Sequence, residues 1–261
     1  MTELARALAQ ALAQGELRVL GRLADASNLA LLCEVDVAAQ VRLCVYKPQS
    51  GERPLWDFPD VVLGRREVLT AAVAACFGWD VVPTTVWRSD GPRGAGMCQE
   101  WIEDPGPAPV RLFREGQVPD GWCGVAEGRS SADELVVLAH EDSADLRRIV
   151  VLDDLVNNAD RKGGHVLRRG DGRLAGIDHG VSFHAQPKLR TVLWGWAGEP
   201  LDPWLVAELS AGHAAYERLL ASAELSSEER RAARRRMARL MDEGTFAVPN
   251  DRWPALPWPP M

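Results

Sequence analysis

Acids, bases and amides crowd into Asn157-Asn158-Ala159-Asp160-Arg161-Lys162-Gly163-Gly164-His165, and a further acid follows in Gly176-Ile177-Asp178-His179-Gly180. Asp178 lies thirteen residues beyond His165. Two carboxylates on neighbouring glycine-flanked loops can hold a divalent cation and orient a hydroxyl. Phosphoryl transfer needs that division of labour: one carboxylate for the attacking hydroxyl, another for the metal that neutralises the phosphates. The competing reading is a pair of surface loops whose Asp and Asn residues only make turns.

The elements around these loops would bring them together. Apolar residues recur at gaps of three and four through residues 146–156, which predicts a helix running into Asn157. Residues 166–169 and 173–175 read as short strands joined by the turn Gly170-Asp171-Gly172, so the hairpin returns Asp178 toward Asp160. Upstream, residues 2–14 read as an amphipathic helix with Thr2 as cap. Residues 16–23, 29–37 and 41–47 read as an antiparallel meander. The third strand ends in Cys44-Val45-Tyr46-Lys47-Pro48, where a lysine among apolar neighbours needs a partner for its charge or a path to water. Lysine occurs only at Lys47, Lys162 and Lys188, and every other base apart from histidine is arginine. In that background a lysine marks a place that wants a compact ammonium.

Asp160-Arg161, His165-Val166-Leu167 and Ile177-Asp178-His179-Gly180 resemble the catalytic and metal loops of the phosphoinositide kinase family, which carry Asp-Arg-His-x-x-Asn and Ile-Asp-Phe-Gly. The wider pattern is similar to an actinobacterial family described as phosphoinositide-kinase-like, and more distantly to the HipA group of serine kinases. The resemblance implies an α+β, two-lobed protein-kinase-like fold. Residues 1–102 would form an N-lobe of antiparallel sheet and helix. Residues 103–131 would be a hinge and inter-lobe loop, and residues 132–261 a mostly helical C-lobe with a small hairpin. It implies Asp160 as catalytic aspartate and Asp178 as metal ligand, with His165 in the second-metal position; beside them Lys162 could neutralise charge on the transferring phosphoryl. Two departures stand out. Lys162 replaces a histidine and His165 an asparagine, and imidazole is a poorer partner than oxygen for a hard cation.

The same resemblance gives roles to the N-lobe. Lys47 would grip the α- and β-phosphates, and Glu67, on a helix expected over residues 63–77, would pair with it or sit solvated. Ser27 and Asn28 in the first hairpin loop would approach the phosphates, or simply make a turn. Strands over residues 81–87 and 94–102 would end in a hinge where the adenine meets the backbone near Glu100 and Ile102. Lys47, Asp160 and Asp178 are thus expected to converge on one cleft. Lys188 and Arg190 could meet an anionic substrate. ATP with Mg²⁺ or Mn²⁺ is the implied cofactor, with a hydroxyl acceptor that the sequence leaves open among protein, lipid and small molecule. A nucleotide-binding pseudokinase and a kinase-fold AMP transferase are the alternatives.

Composition narrows the classes. The chain has 261 residues, 46% of them hydrophobic, enough for a sizeable core. Its net charge of −7 argues against general nucleic-acid binding. No apolar run approaches the ~20 residues of a membrane span, so no integral membrane association is expected. The start lacks a basic, then apolar, signal pattern. Five scattered cysteines without a C-x-x-C suit reduced core thiols and a cytoplasmic setting. The remaining expectations are a helix over residues 132–140 capped by Ser131, helices over residues 203–221 and 228–241, and a packed tail over residues 253–261.

Overall fold

The computed structural model describes residues 3–24, 28–58, 61–103, 106–130 and 132–261. The chain divides into two units, Met1–Ala72 with Val82–Ile102, and Val73–Val81 with Glu103–Met261.

The first unit is a five-stranded antiparallel sheet. It comprises α1 (Glu3–Gln14), β1 (Arg18–Arg22), β2 (Leu31–Val37), β3 (Gln40–Pro48), α2 (Leu63–Cys76, its last residues counting with the second unit), β4 (Thr85–Arg88) and β5 (Gly96–Glu100). The strand order is β1-β2-β3-β5-β4. Alternate residues of β2, Leu31, Cys33, Val35 and Val37, are buried with Cys44 and Tyr46 of β3 and Cys98 of β5. Leu12 of α1 closes this core, flanked by Ala7, Leu8 and Ala11. Arg88 fixes the end of α1 by donating to the carbonyls of Leu12 and Gly15.

Side chains alternate across a strand, so Lys47 faces away from its neighbour Tyr46. Lys47 is opposite Met97 in the β3–β5 register. On that face α2 comes in close: a methyl on Gly64 would stand 2.9 Å from the Met97 Cβ. Glu52 fixes where α2 begins, its carboxylate accepting from the N–H groups of Leu63 and Gly64, each at 2.8 Å. Those are two of the orphan donors every helix start presents. The Arg65 guanidinium lies 4.0 Å over the Trp87 ring and adds a second tie to the sheet.

The second unit departs from the expected arrangement. Residues 103–131 are not a plain loop: β6 (Val110–Arg114) and β7 (Trp122–Arg129) lie within them. The helix expected over residues 132–140 is instead the strand β8 (Leu135–Glu141), and Ser131, its supposed cap, lies outside the described residues. β8 runs between β6 and β7, antiparallel to both. An apolar run such as Leu-Val-Val-Leu-Ala suits either element, and pairing on both edges decides it. The expected hairpin is present as β9 (Val166–Arg168) and β10 (Leu174–Gly176). Three helices complete the unit: α3 (Ala144–Val156), α4 (Pro203–Ser222) and α5 (Ser227–Glu243). α3 is its spine, with every residue from Ile149 to Val156 buried. Its two buried acids each meet an arginine. Asp153 pairs with Arg161, and Asp154 with Arg239 of α5, although burial still pushes the Asp154 carboxyl up from its ordinary value. No helix among the described residues is long and apolar enough to cross a membrane.

His140 gives the second unit a pH response. Fully buried on β8, its Nδ1 is 2.9 Å from the Glu141 carbonyl and its Nε2 accepts from the Gly195 N–H at 3.1 Å. A carbonyl only accepts, so Nδ1 carries the proton, and protonating Nε2 would break the bond to Gly195. Burial holds the imidazole below its ordinary range. The unfolded chain then binds more protons than the folded one below about pH 6.5, and stability falls as the solution is acidified. The melting midpoint should drop between pH 7 and pH 5. His140→Gln should flatten that slope without abolishing it, because His165 is shifted in the same direction.

Candidate functional site

Asn157 ends α3 in the left-handed conformation, φ 56°, which Asn tolerates better than most residues. Its amide then holds a later segment in place. Nδ2 donates to the carbonyls of His184 and Gln186, and Oδ1 accepts from the Lys188 N–H. Asn158 donates to Asp153 and accepts from the Asp160 N–H at 3.1 Å. The following residues are stitched to the chain on both sides, Ala159 to Val181, and Arg161 to Arg190 and Val192.

Arg161 is the hub of this loop, and its side chain is fully buried. Its guanidinium forms a two-pronged pair with Asp153 at 2.7 and 2.9 Å. It also donates to the carbonyls of His165 at 3.0 Å and Ile177 at 2.7 Å, and meets His179 Nε2 at 2.6 Å. One side chain thus links the loop that carries Asp160, at His165, to the residue before Asp178. Gly176 leaves it room, since a Cβ there would lie 3.2 Å from Nη2. The spacing of the motif gives Arg161 no role. The available signal was the pair of acids inside an apolar helix, because a buried carboxylate demands a cation.

Asp160 is three-quarters buried, 3.1 Å from the Lys162 ammonium and 3.4 Å from Arg190. Asp178 has φ 62° and a half-exposed side chain. Its Oδ2 stands 3.4 Å from His165 Nε2. His165 Nδ1 meets the Asp160 carbonyl at 3.0 Å, so that nitrogen carries the proton. Burial keeps His165 below the ordinary imidazole range, partly countered by Asp178. Neutral His165 therefore turns a lone pair toward a carboxylate, an arrangement that a cation between them would stabilise. Among the described residues no group of three or more His, Cys, Asp or Glu side chains is disposed to hold a metal. A cation here would take its other ligands from water or a bound anion, as Mg²⁺ does with phosphates.

In the first unit Lys47 pairs with Glu67 of α2 at 2.9 Å. The glutamate is almost wholly buried, which excludes the solvated alternative. Asn28 accepts from the Arg53 N–H and so ties the first hairpin loop to the segment before α2, while Ser27 lies outside the described residues. Glu100 closes β5: its N–H donates to the Thr84 carbonyl and its carboxylate accepts from the Thr84 N–H. Ile102, two residues past the strand, is half-buried.

Lys188 is not an open anion contact. It is buried, its ammonium 4.5 Å from the centre of the Trp253 ring. Arg190 donates to the Ala159 carbonyl at 2.6 Å and supports the Asp160 loop from below. The tail takes part in the same framework. Pro260 accepts from the Gly163 N–H, and Ala255 from Thr191 and the Trp194 indole. Trp258 of that tail is 86% exposed, against the packing expected of it.

No family model matches the chain. Protein Rv2133c of Mycobacterium tuberculosis (strain ATCC 25618 / H37Rv) is 45% identical over 261 residues, covering 95% of this chain and 93% of the mycobacterial one. The chain belongs to the Rv2133c family. Among solved structures, that of the Golgi casein kinase matches with a TM-score of 0.53, over 94% of this chain and 79% of the kinase, at 14% identity. At that identity the likeness is one of fold. This member of the Rv2133c family thus has a kinase-like α+β fold.

Proposed function

We propose that the chain is an ATP-dependent phosphotransferase of the phosphoinositide-kinase-like type, moving the γ-phosphoryl group of ATP to a hydroxyl acceptor. The observation that carries this reading is the Arg161 hub, which ties the carbonyls of His165 and Ile177, on the loops that carry Asp160 and Asp178, to one buried guanidinium. The kinase-like fold and the Lys47–Glu67 pair support it.

In this reading Lys47, oriented by Glu67, meets the α- and β-phosphates. Asp160 accepts a hydrogen bond from the acceptor hydroxyl and aligns it for attack. Lys162, held at the Asp160 carboxylate, offsets charge on the transferring group. Asp178 would hold Mg²⁺ or Mn²⁺, with His165 Nε2 beside it. The metal, when bound, neutralises phosphate charge. The His165–Asp178 facing pair also favours a second reading, a nucleotide-binding pseudokinase, since imidazole fills a place where an oxygen ligand serves kinases.

Nucleotide binding and label transfer decide among these. ATP should bind in the presence of Mg²⁺ or Mn²⁺. Lys47→Ala and Asp178→Asn should each weaken binding about tenfold or more, with melting curves confirming that the variants fold. Label from γ-labelled ATP should leave the nucleotide and label from α-labelled ATP should not. Transfer of α-label would instead establish AMP transfer, and binding without turnover under either metal would establish the pseudokinase. A chain that binds no nucleotide with either metal refutes all three.

A further inference from the structure

α5 carries six arginines, and four have structural work. Arg230 donates to the carbonyls of Leu220, Ala221 and Leu225. Arg234 pairs with Glu217, Arg236 donates to the Leu155 carbonyl, and Arg239 pairs with Asp154. Arg231 and Arg235 are exposed, and no hydrogen bond or ion pair engages either among the described residues. Both line a cavity of about 370 Å³, together with Ala185, Gln186 and Glu228. Its far wall is the segment that Asn157 holds by the carbonyls of His184 and Gln186. The same Asn157 leads, three residues on, into Asp160. A groove with two uncommitted guanidiniums is therefore fastened to the candidate catalytic loop.

We infer that this groove docks an acidic, extended peptide segment of a protein acceptor. The inference rests on the phosphotransferase reading for the word acceptor, but the docking itself does not. Residues four apart on a helix are separated by about 6 Å along its axis. Same-side residues of an extended peptide repeat at about 6.6 Å. Acids at alternate positions would thus meet Arg231 and Arg235 in turn, each guanidinium presenting its fork to one carboxylate. A single phosphate would call for two converging forks. A membrane or nucleic-acid surface would call for a broad basic field, whereas Glu228 lines this groove and the chain carries a net charge of −7.

Fluorescence anisotropy without nucleotide tests this. The probes are labelled short peptides in which a serine is flanked by alternating Glu, alternating Gln or alternating Lys. The Glu peptide should bind and the others should not. Arg231→Glu with Arg235→Glu should weaken it at least about tenfold, since two charge-assisted contacts are lost. Arg231→Lys with Arg235→Lys should lose less. Both positions are exposed and unpaired, and melting curves check that each variant folds. Glu-peptide binding that ignores the double reversal overturns the inference. So does arginine-dependent binding of inorganic phosphate or of phosphoinositide vesicles in place of the peptide. So does a double reversal that changes only self-association. ATP binding measured alongside separates the two levels. ATP bound without peptide sinks the docking site alone, and peptide bound without ATP supports the docking while sinking the phosphotransferase.

Discussion

Asp160→Asn should cut transfer of the γ-phosphoryl group, read as phosphate released or carried to an acceptor, by roughly 10²–10⁴-fold while leaving ATP binding within a few-fold of the parent chain. The substitution keeps the shape of the side chain and removes the charge that orients a hydroxyl. Stability should hardly change. Asp160 is 3.1 Å from Lys162 and 3.4 Å from Arg190, but all three groups keep about a quarter of their side chains in water. Pairs that exposed contribute about 0–1 kcal/mol. The loop does not depend on the carboxylate either, because its course is set by Asn158, Arg161 and Arg190. The contrast between lost transfer and retained binding is what separates a group acting on the acceptor from one acting on the nucleotide. A variant with full turnover would remove Asp160 from the chemistry. One that lost ATP binding as well would place it at the phosphates.

Several elements were legible in the sequence, and physics says why. The Lys47–Glu67 pair was offered by the kinase resemblance alongside a solvated Glu67, and the scarcity of lysine marked Lys47 as a position of interest. α3 and the β9–β10 hairpin announce themselves by periodicity and by Gly170-Asp171-Gly172. β6, β7 and β8 were not legible. β8 forms a hairpin with β7, Arg129 opposite Leu135, but its other edge pairs with β6 further back in the chain, Arg114 opposite Val136. No local pattern records such a partner. Lys188 misled for a related reason: a lone cation in a polar loop looks open to an anion until Trp253, far along the chain, is folded over it. In the site the two acids were visible as chemistry, whereas the residues that aim them were visible only as composition. Asn157 and Asn158 looked like helix breakers. They are breakers whose amides hold two further segments.

Arg161→Met should cost about 3–5 kcal/mol of unfolding free energy, measured by denaturant titration, because it leaves the Asp153 carboxylate buried without its cation. Asn158 would remain as a donor to Asp153 at 2.8 Å, which is too little for an ion with 1% of its side chain exposed. The carbonyls of His165 and Ile177 would lose a donor as well, at about 1 kcal/mol each. Adding Asp153→Leu should recover part of the loss, since replacing both members of a buried pair with apolar groups is often neutral. Transfer activity should not return with it. The loops that carry Asp160 and Asp178 are joined through the carbonyls of His165 and Ile177 by a guanidinium at position 161 that also pairs with Asp153, and Arg161→Lys, a point charge without the fork, should fall short for the same reason. Recovery of stability without recovery of activity would show that the buried arginine is kept for the geometry of two loops. If Arg161→Met cost less than about 1 kcal/mol, or if the double variant regained full transfer, the hub would be dispensable, and the strongest support for bringing the two carboxylates together in one mechanism would be gone.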